Sequence, residues 1–270
     1  MVCVALLMLA ATAPPGDAVP RNLSNFEIAQ RAEEEFRLGV EQRSDRAKAV
    51  PHFRIAADWF DELRRRGADN PQLYRNLGNA SLLADDLPRA VLSYRRGLRL
   101  APADADLQAG LDEARKRVNY TTETGFGRPP DDHRPPWLPR IGSEWLFAGA
   151  ALGYIAACFL LTRWLMTRRG GVLAIAVLAG FMAAGLTASA VTATASERGE
   201  REQPLVVAAE DGVILRKGDG VTYPPRYETP LNKGVEARRL FQRDDGWVQI
   251  ELSGGEIGWA PRSSLLIDEP

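Results

Sequence analysis

Hydrophobic and polar positions keep one rhythm for a stretch of chain and then change abruptly. Residues 1–13, MVCVALLMLAATA, are apolar. Residues 21–118 mix charged and apolar positions at the spacing of helices that bury one face. Residues 119–142 are rich in Pro, and residues 143–195 are apolar apart from a short Arg-bearing break. From residue 204 the pattern becomes short apolar runs between Gly-containing turns. These rhythms predict, in order, an all-α helical array, a spacer, a transmembrane helical hairpin and a small all-β barrel, hence a multidomain membrane protein. The apolar run at residues 2–11 is too short to cross a bilayer and suits the core of a signal peptide spanning residues 1–18. Cleavage after Ala13 would put Pro14 at the new N-terminus, so Ala18 is the alternative; a buried apolar N-terminal segment is the other reading. No basic stretch precedes the run, which leaves open a start codon upstream, and Cys3 lies too early to be a lipid-modified cysteine.

In LYRNLGNASLLADDLPRAVLSYRRGLRLAP, which begins at Leu73, the residues Tyr74, Leu77, Gly78 and Ser81 share one face of a first helix. Ala90, Tyr94, Gly97 and Leu98 share one face of a second. The small residues allow close approach, Leu87 and Tyr94 fill the seam, Asp85 and Asp86 make the turn, and Pro102 ends the unit. This pattern resembles a tetratricopeptide repeat over its whole length of roughly 34 residues. Tyr74, Leu77, Gly78, Ala90, Tyr94, Gly97 and Pro102 stand at its signature positions. One period earlier, Ala56, Phe60 and Leu63 take the places of Ala90, Tyr94 and Gly97, so HFRIAADWFDELRRRG is the second helix of a degenerate repeat. Its first helix centres on residues 36–39, and the turn at residues 42–50 is expected to hold an insertion. Leu107, Leu111, Ala114 and Val118 predict a solvating cap helix. The resemblance implies protein binding along the first helices, where Arg75, Asn76 and Asn79 lie. Arg75 and Asn79 occupy positions at which some tetratricopeptide domains hold a partner's terminal carboxylate. As solvated residues of an exposed face they need no ligand, and the earlier repeat offers no matching cation. Arg64, Arg65 and Arg66 read as a solvated helix end that complements the helix dipole.

The Pro-rich segment GFGRPPDDHRPPWLPRIG is expected to be an extended, semi-rigid spacer. Trp137 and Trp145 suit an interfacial anchor. Residues 143–166 and 171–195 are each long enough to span a bilayer, which takes about 20 residues. Arg163 can snorkel from the end of the first span. The second is rich in Gly, Ala, Ser and Thr, which favours close helix packing, with Gly180 and Gly185 as small-residue contacts. Arg168 and Arg169 put the connecting loop in the cytoplasm by the positive-inside rule. Both soluble regions are then expected outside the cytoplasm, at a bacterial inner membrane.

In the last region, LVVAAEDGVILRKGDG predicts two strands around a Gly turn, with further turns at residues 232–234 and 244–246. Residues 204–268 therefore suggest a small closed barrel. The motifs GVILRKGDG, DDGWVQIEL and GEIGWAPRSSLL resemble those of a bacterial SH3 domain. That resemblance implies that the pairs Gly246-Trp247 and Gly258-Trp259 sit in or beside the barrel core. It also implies binding to cell-wall peptides or proteins, or an adaptor role. Tyr223 and Tyr227 in the long loop, with Trp247, are the candidate peptide-binding residues.

Composition narrows the function. A formal net charge of -1 gives no broad footprint for nucleic acid. Cys3 and Cys158 form neither a disulfide framework nor a zinc spacing. Neither His52 nor His133 has a nucleophile, carboxylate partner or ligand spacing near it in sequence, and His133 reads as a solvated loop residue. RKGDG lacks the Lys and Ser/Thr of a phosphate-cradling loop, and the acidic pairs at residues 85–86 and 244–245 suit turns. No enzyme, cofactor or metal is expected.

The order of signal peptide, tetratricopeptide unit, spacer, two membrane helices and SH3-like domain resembles the BatE proteins of bacterial Bat (aerotolerance) operons. The resemblance implies partners: membrane proteins with von Willebrand A domains and a MoxR-type ATPase. The expected function is a non-enzymatic membrane-anchored scaffold that presents two extracytoplasmic interaction modules. The alternative is a peptidoglycan-sensing or anchoring protein that uses its SH3-like domain.

Overall fold

The first helical hairpin pairs α1 (Asn25–Glu41) with α2 (Arg46–Arg65). A capping box opens α1, with Glu27 N–H donating to Ser24 Oγ while the Glu27 carboxylate accepts from Ser24 N–H. The computed structural model describes residues 23–120, 127–129 and 143–268. The expected signal peptide, most of the spacer, His133 and Trp137 lie outside the described residues. The turn between α1 and α2 is only residues 42–45. The expected insertion therefore sits in the helices as added length, and α2 has 20 residues where its counterpart α4 has 14. Pro51, the sixth residue of α2, lies one turn past the free N–H groups of the helix start and forgoes the single backbone bond to the Ala47 carbonyl.

The second hairpin pairs α3 (Pro71–Leu83) with α4 (Leu87–Leu100), and α5 (Ala105–Arg117) follows. Asn70, Asp86 and Asp104 each cap the next helix through a side-chain oxygen, and Pro at the start of α3 and α4 is pre-set for helix. Aromatic rings pass between helices at glycines. A Cβ on Gly39 would come within 2.7 Å of the Phe53 ring, and one on Gly78 within 2.6 Å of the Tyr94 ring. The predicted faces of α5 are buried at Leu107, Leu111, Ala114 and Val118.

The helix pair α6 (Ser143–Thr167) and α7 (Gly170–Glu202) is joined by Arg168 and Arg169 alone, so the two run antiparallel. Each contains at least 25 consecutive residues long and apolar enough to cross a membrane. At about 1.5 Å per residue that length exceeds a hydrocarbon core of about 30 Å. Their seam is built on Ala176, Ala183 and Ala190, seven residues apart and all buried. A Cβ on Gly153 would meet Ala183 Cβ at 3.3 Å, and Leu146 packs with Ala190 and Ala193. Gly180 and Gly185 are not contacts: nothing lies within 4 Å of where their Cβ would stand. Gly185 is exposed on the side of α7 away from the alanine seam, and Gly180, half-buried, lies at the edge of the seam beyond reach of α6.

The chain then enters an antiparallel sheet ordered β4-β3-β2-β1-β5. Its strands are β1 (Leu205–Ala208), β2 (Glu236–Gln242), β3 (Trp247–Glu251), β4 (Ile257–Pro261) and β5 (Leu265–Ile267). Residues 209–235 form turns held by the isolated bridges Val213 to Leu231 and Arg216 to Pro225 and Trp259, where a second strand was expected. Gly234 and Gly246 take φ of +88° and +85° at the two predicted turns.

The helical and sheet modules share one hydrophobic core. Leu87, Val91, Leu111 and Val118 from the helices cluster with Val206, Val207, Leu231 and Ile267 from the sheet. Gly234 comes so near that a Cβ there would lie 2.7 Å from Val118 Cγ2. Helix α5 is thus no solvating cap, because the sheet covers its end. Two buried carboxylates fix the seam. Glu236, fully buried on β2, accepts from Arg115 Nε at 2.7 Å and Nη2 at 2.9 Å, with Arg95 at 3.8 Å. Asp268, 3% exposed, meets Arg96 at 2.6 Å and Arg99 at 2.7 Å. Removing one partner of a buried pair strands the others in an apolar seam. Glu236→Ala is therefore expected to cost about 3 kcal/mol and lower the thermal unfolding midpoint in detergent. Exposed Glu34→Ala is expected to change it by less than about 0.5 kcal/mol.

Candidate functional site

A shallow groove of about 560 Å³ opens between α3 and α5. Its position follows from local rules. Asn70 caps α3 and orients Arg75, Asn76 and Asn79 along one side. Asp104 caps α5 and sets Asp106, Ala109, Gly110 and Glu113 along the other. The α3–α4 turn takes only residues 84–86, and Asp85 adopts a left-handed φ of +61° to make it. Aspartate tolerates that region better than most residues. Arg46 ion-pairs with Asp85 and ties this turn to the longer first hairpin.

Tyr94 forms the floor. Its ring is completely buried between Gly78 on α3 and Gly110 on α5, where any larger residue would strike it. Its hydroxyl reaches the groove and donates to Asn79 Oδ1 at 2.6 Å. Burial raises the Tyr94 pKa far above the usual phenol value, so the group stays a neutral donor. Arg75 pairs with Asp106 at 2.7 Å, and Glu113 pairs with Arg117 at 3.0 Å. The groove thus offers amides, a phenol, two acids and one already matched cation. That set suits hydrogen bonding to a polypeptide segment. It does not make the unopposed positive site that a terminal carboxylate needs.

Arg75, Asn76 and Asn79 are therefore brought together in one groove, and their signature neighbours Tyr74, Leu77, Gly78, Ala90 and Tyr94 are all buried, Tyr94 beneath the groove and Leu77 against the first hairpin. The three candidates on the sheet module do not converge. Tyr223 is exposed, packs over Gly218 and receives Arg216 Nη1 on its carbonyl at 2.7 Å. Tyr227 packs against the core and directs its hydroxyl toward the Ile257 carbonyl at 3.5 Å. Trp247 is half-buried at the start of β3, paired with Pro261. Along β3 and β4 the fully buried positions are Val248, Ile250, Gly258 and Ala260. Trp247 and Trp259 alternate with them and face away from the core, because side chains on a strand alternate in direction. Gly258 is the member of its pair that the core requires, since Leu215 packs where its Cβ would be.

Sequence reading missed Asp106, Gly110 and Glu113 as groove residues, and missed the Arg and carboxylate pairs of the seam. The signal for Gly110 was present: a glycine inside an otherwise regular helix marks close approach. Among the described residues no group of His, Cys, Asp and Glu could hold a metal ion. His52 sits between Glu35, at 2.7 Å, and Gln42, at 3.3 Å, away from the groove residues.

Comparison with protein-family models, with curated proteins and with solved structures returns no match for this chain. The groove geometry makes one direct expectation. Gly110→Val drives a side chain into the Tyr94 ring and is expected to cost about 1–3 kcal/mol, whereas Tyr94→Phe, which removes only the hydrogen bond to Asn79 and leaves the ring in place, costs about 1 kcal/mol. Chemical unfolding of the two variants in mild detergent measures the order.

Proposed function

We propose that the chain is a non-enzymatic membrane-anchored scaffold. Helices α6 and α7 cross the cytoplasmic membrane as a hairpin, and the helical and sheet modules stand together outside the cytoplasm. The groove between α3 and α5 takes a polypeptide segment from a membrane neighbour. The observation that carries this reading is the shared core. The two modules lie on either side of α6 and α7 in sequence, yet Glu236 on β2 is held by Arg115 on α5. Modules in such contact need the same side of the bilayer, and an even number of spans returns the chain there. Arg168 and Arg169 form the whole connecting turn, and positive charge at such a turn favours the cytoplasmic face.

The helical unit resembles a tetratricopeptide array and the sheet a bacterial SH3 domain. That combination supports membership of a Bat-type membrane complex, with von Willebrand A domain proteins and a MoxR-type ATPase as neighbours. The absence of a terminal-carboxylate cradle in the groove points to an internal segment of the partner as the ligand.

Sidedness is testable by labelling cysteines with a membrane-impermeant maleimide in a Cys3→Ser, Cys158→Ser background. In intact spheroplasts, Ser253→Cys is expected to label fully and Thr167→Cys only after permeabilisation. The reverse pattern overturns the orientation, and labelling of both from outside overturns the spans.

A further inference from the structure

We propose that one end of the sheet module, carrying Val221, Tyr223 and Phe241, rests on the lipid surface of the membrane that α6 and α7 cross. This inference builds on the membrane reading above. Strand register places that end. Leu205, the first residue of β1, pairs with Arg238, and Arg239 N–H donates to the Pro204 carbonyl at 3.0 Å. The chain arrives there directly from α7, whose last residue, Glu202, is two positions before Pro204. Strand β2 does not stop at that level. It runs on to Gln242, so Phe241, the turn at residues 243–246 and Trp247 overhang on the side from which α7 enters.

A second loop is pinned to the same end. Arg216 bridges to Trp259, which lies opposite Gln249, and Gln249 lies opposite Phe241. Arg243 ion-pairs with Asp219 and thereby holds the loop that carries Val221 and Tyr223 against the β2–β3 turn. The exposed apolar side chains of the module concentrate here. Val221 is 75% exposed, Phe241 56% and Tyr223 47%, while Ile214, at 41%, is the only other large apolar residue so exposed among the described residues of the module. Trp259 lies edge-on to Phe241 at 6.3 Å. Arg243 also faces Asp245, so Arg216, Lys217, Arg239 and Arg243 stand against Asp219, Asp244 and Asp245, an excess of one positive charge. Aromatic and apolar groups mixed with excess Arg and Lys are the composition that settles at a headgroup layer.

Reach agrees with this placement. Helix α7 continues seven residues past Ala195, the end of its apolar span, and so rises about 10 Å. Three residues of β2 beyond Arg239 descend about 10 Å. Gln203 and Pro204 add at most about 7 Å to the stand-off, so the overhang ends within the headgroup layer, which is about 5–7 Å thick, rather than in hydrocarbon. A peptide occupant is disfavoured by Tyr227, which would have to stand beside Tyr223 to wall a groove and instead packs on the core.

The test uses the full chain in nanodiscs of zwitterionic and anionic phospholipid, with single cysteines carrying an environment-sensitive fluorophore. Probes at Phe241→Cys and Val221→Cys report the proposed contact. Ser253→Cys reports the opposite end of β3, and native Cys158 reports the bilayer interior. Lipids with a quencher near the headgroup are expected to quench positions 221 and 241 several-fold more than position 253, with a blue shift of emission. Quenching of Cys158 by deep-quencher lipids together with silence at 221 and 241 overturns the proposal and leaves the membrane reading standing. An unquenched Cys158 overturns both. Probes at 221 and 241 that ignore lipid but shift on addition of soluble peptidoglycan fragments replace the lipid surface with a cell-wall peptide. Far-UV circular dichroism confirms folding of each variant, and Val221→Ser with Phe241→Ser supplies a label-free check by loss of protection from hydrogen exchange along β2 and β3 in the presence of bilayer only.

Discussion

Everything in the architecture depends on the carboxylate of Glu236 having somewhere to put its charge. A carboxylate with no solvent exposure would cost several kcal/mol unpaired. Arg115 answers both oxygens in fork geometry, which Lys could not do, and Arg95 adds a second cation. Those two arginines sit on different helices, α5 and α4, so the pair specifies the mutual placement of three elements at once. Asp268 repeats the device in the same C-terminal half of α4, with Arg96 and Arg99. An apolar seam alone would slide, since hydrophobic burial is non-directional. The charged pairs select one register for it.

The same helices meet a steric constraint on their other face. Tyr94 can stand between α3 and α5 only because Gly78 and Gly110 lack side chains. Glycine in a helix interior is unfavourable by about 1 kcal/mol relative to alanine, so each such position needs a packing gain to offset it. Here the gain is a fully buried aromatic ring whose hydroxyl is delivered to the groove and satisfied by Asn79. Phe53 over Gly39 repeats the arrangement in the first hairpin without a hydroxyl.

Local rules made much of this legible before the structure. Apolar spacing placed the helical faces, Asp85 and Asp86 placed the turn between α3 and α4, Pro102 placed the end of that unit, and the lengths of the two apolar runs marked α6 and α7. Three features escaped for physical reasons. The added length of the first hairpin is helical, and a longer helix breaks no periodicity, so it read as a turn insertion. Trp247 and Trp259 were expected in or beside the core, but strand alternation gives the inward positions to Val248, Ile250 and Ala260. The seam pairs join residues 121 and 172 positions apart, where arginines on a helix and a lone acid on a strand look like ordinary solvated charge. Of the groove, Arg75, Asn76 and Asn79 were visible because they share one helix face. Their α5 neighbours were not, because α5 was read as an end rather than a wall.

Recognising α5 as a wall changes what a bound segment can do. Tyr94, on the groove floor, is followed in the chain by Arg95 and Arg96, which hold the seam to the sheet. Arg115 is two residues from Glu113 on the groove rim. A segment seated in the groove therefore pushes on the same two helices that carry the seam. Load placed on the groove passes through Glu236 and Asp268 into β2 and β5, then through β1 and the short link at Gln203 and Pro204 into α7. The described residues of the spacer also meet the sheet, with Gly127 close to Val235 and the Arg128 carbonyl accepting from Ser253 Oγ at 2.7 Å. A partner that binds the groove is thus mechanically joined to the second apolar helix by close-packed structure, and the helical array acts as the head of a lever whose arm is the sheet module.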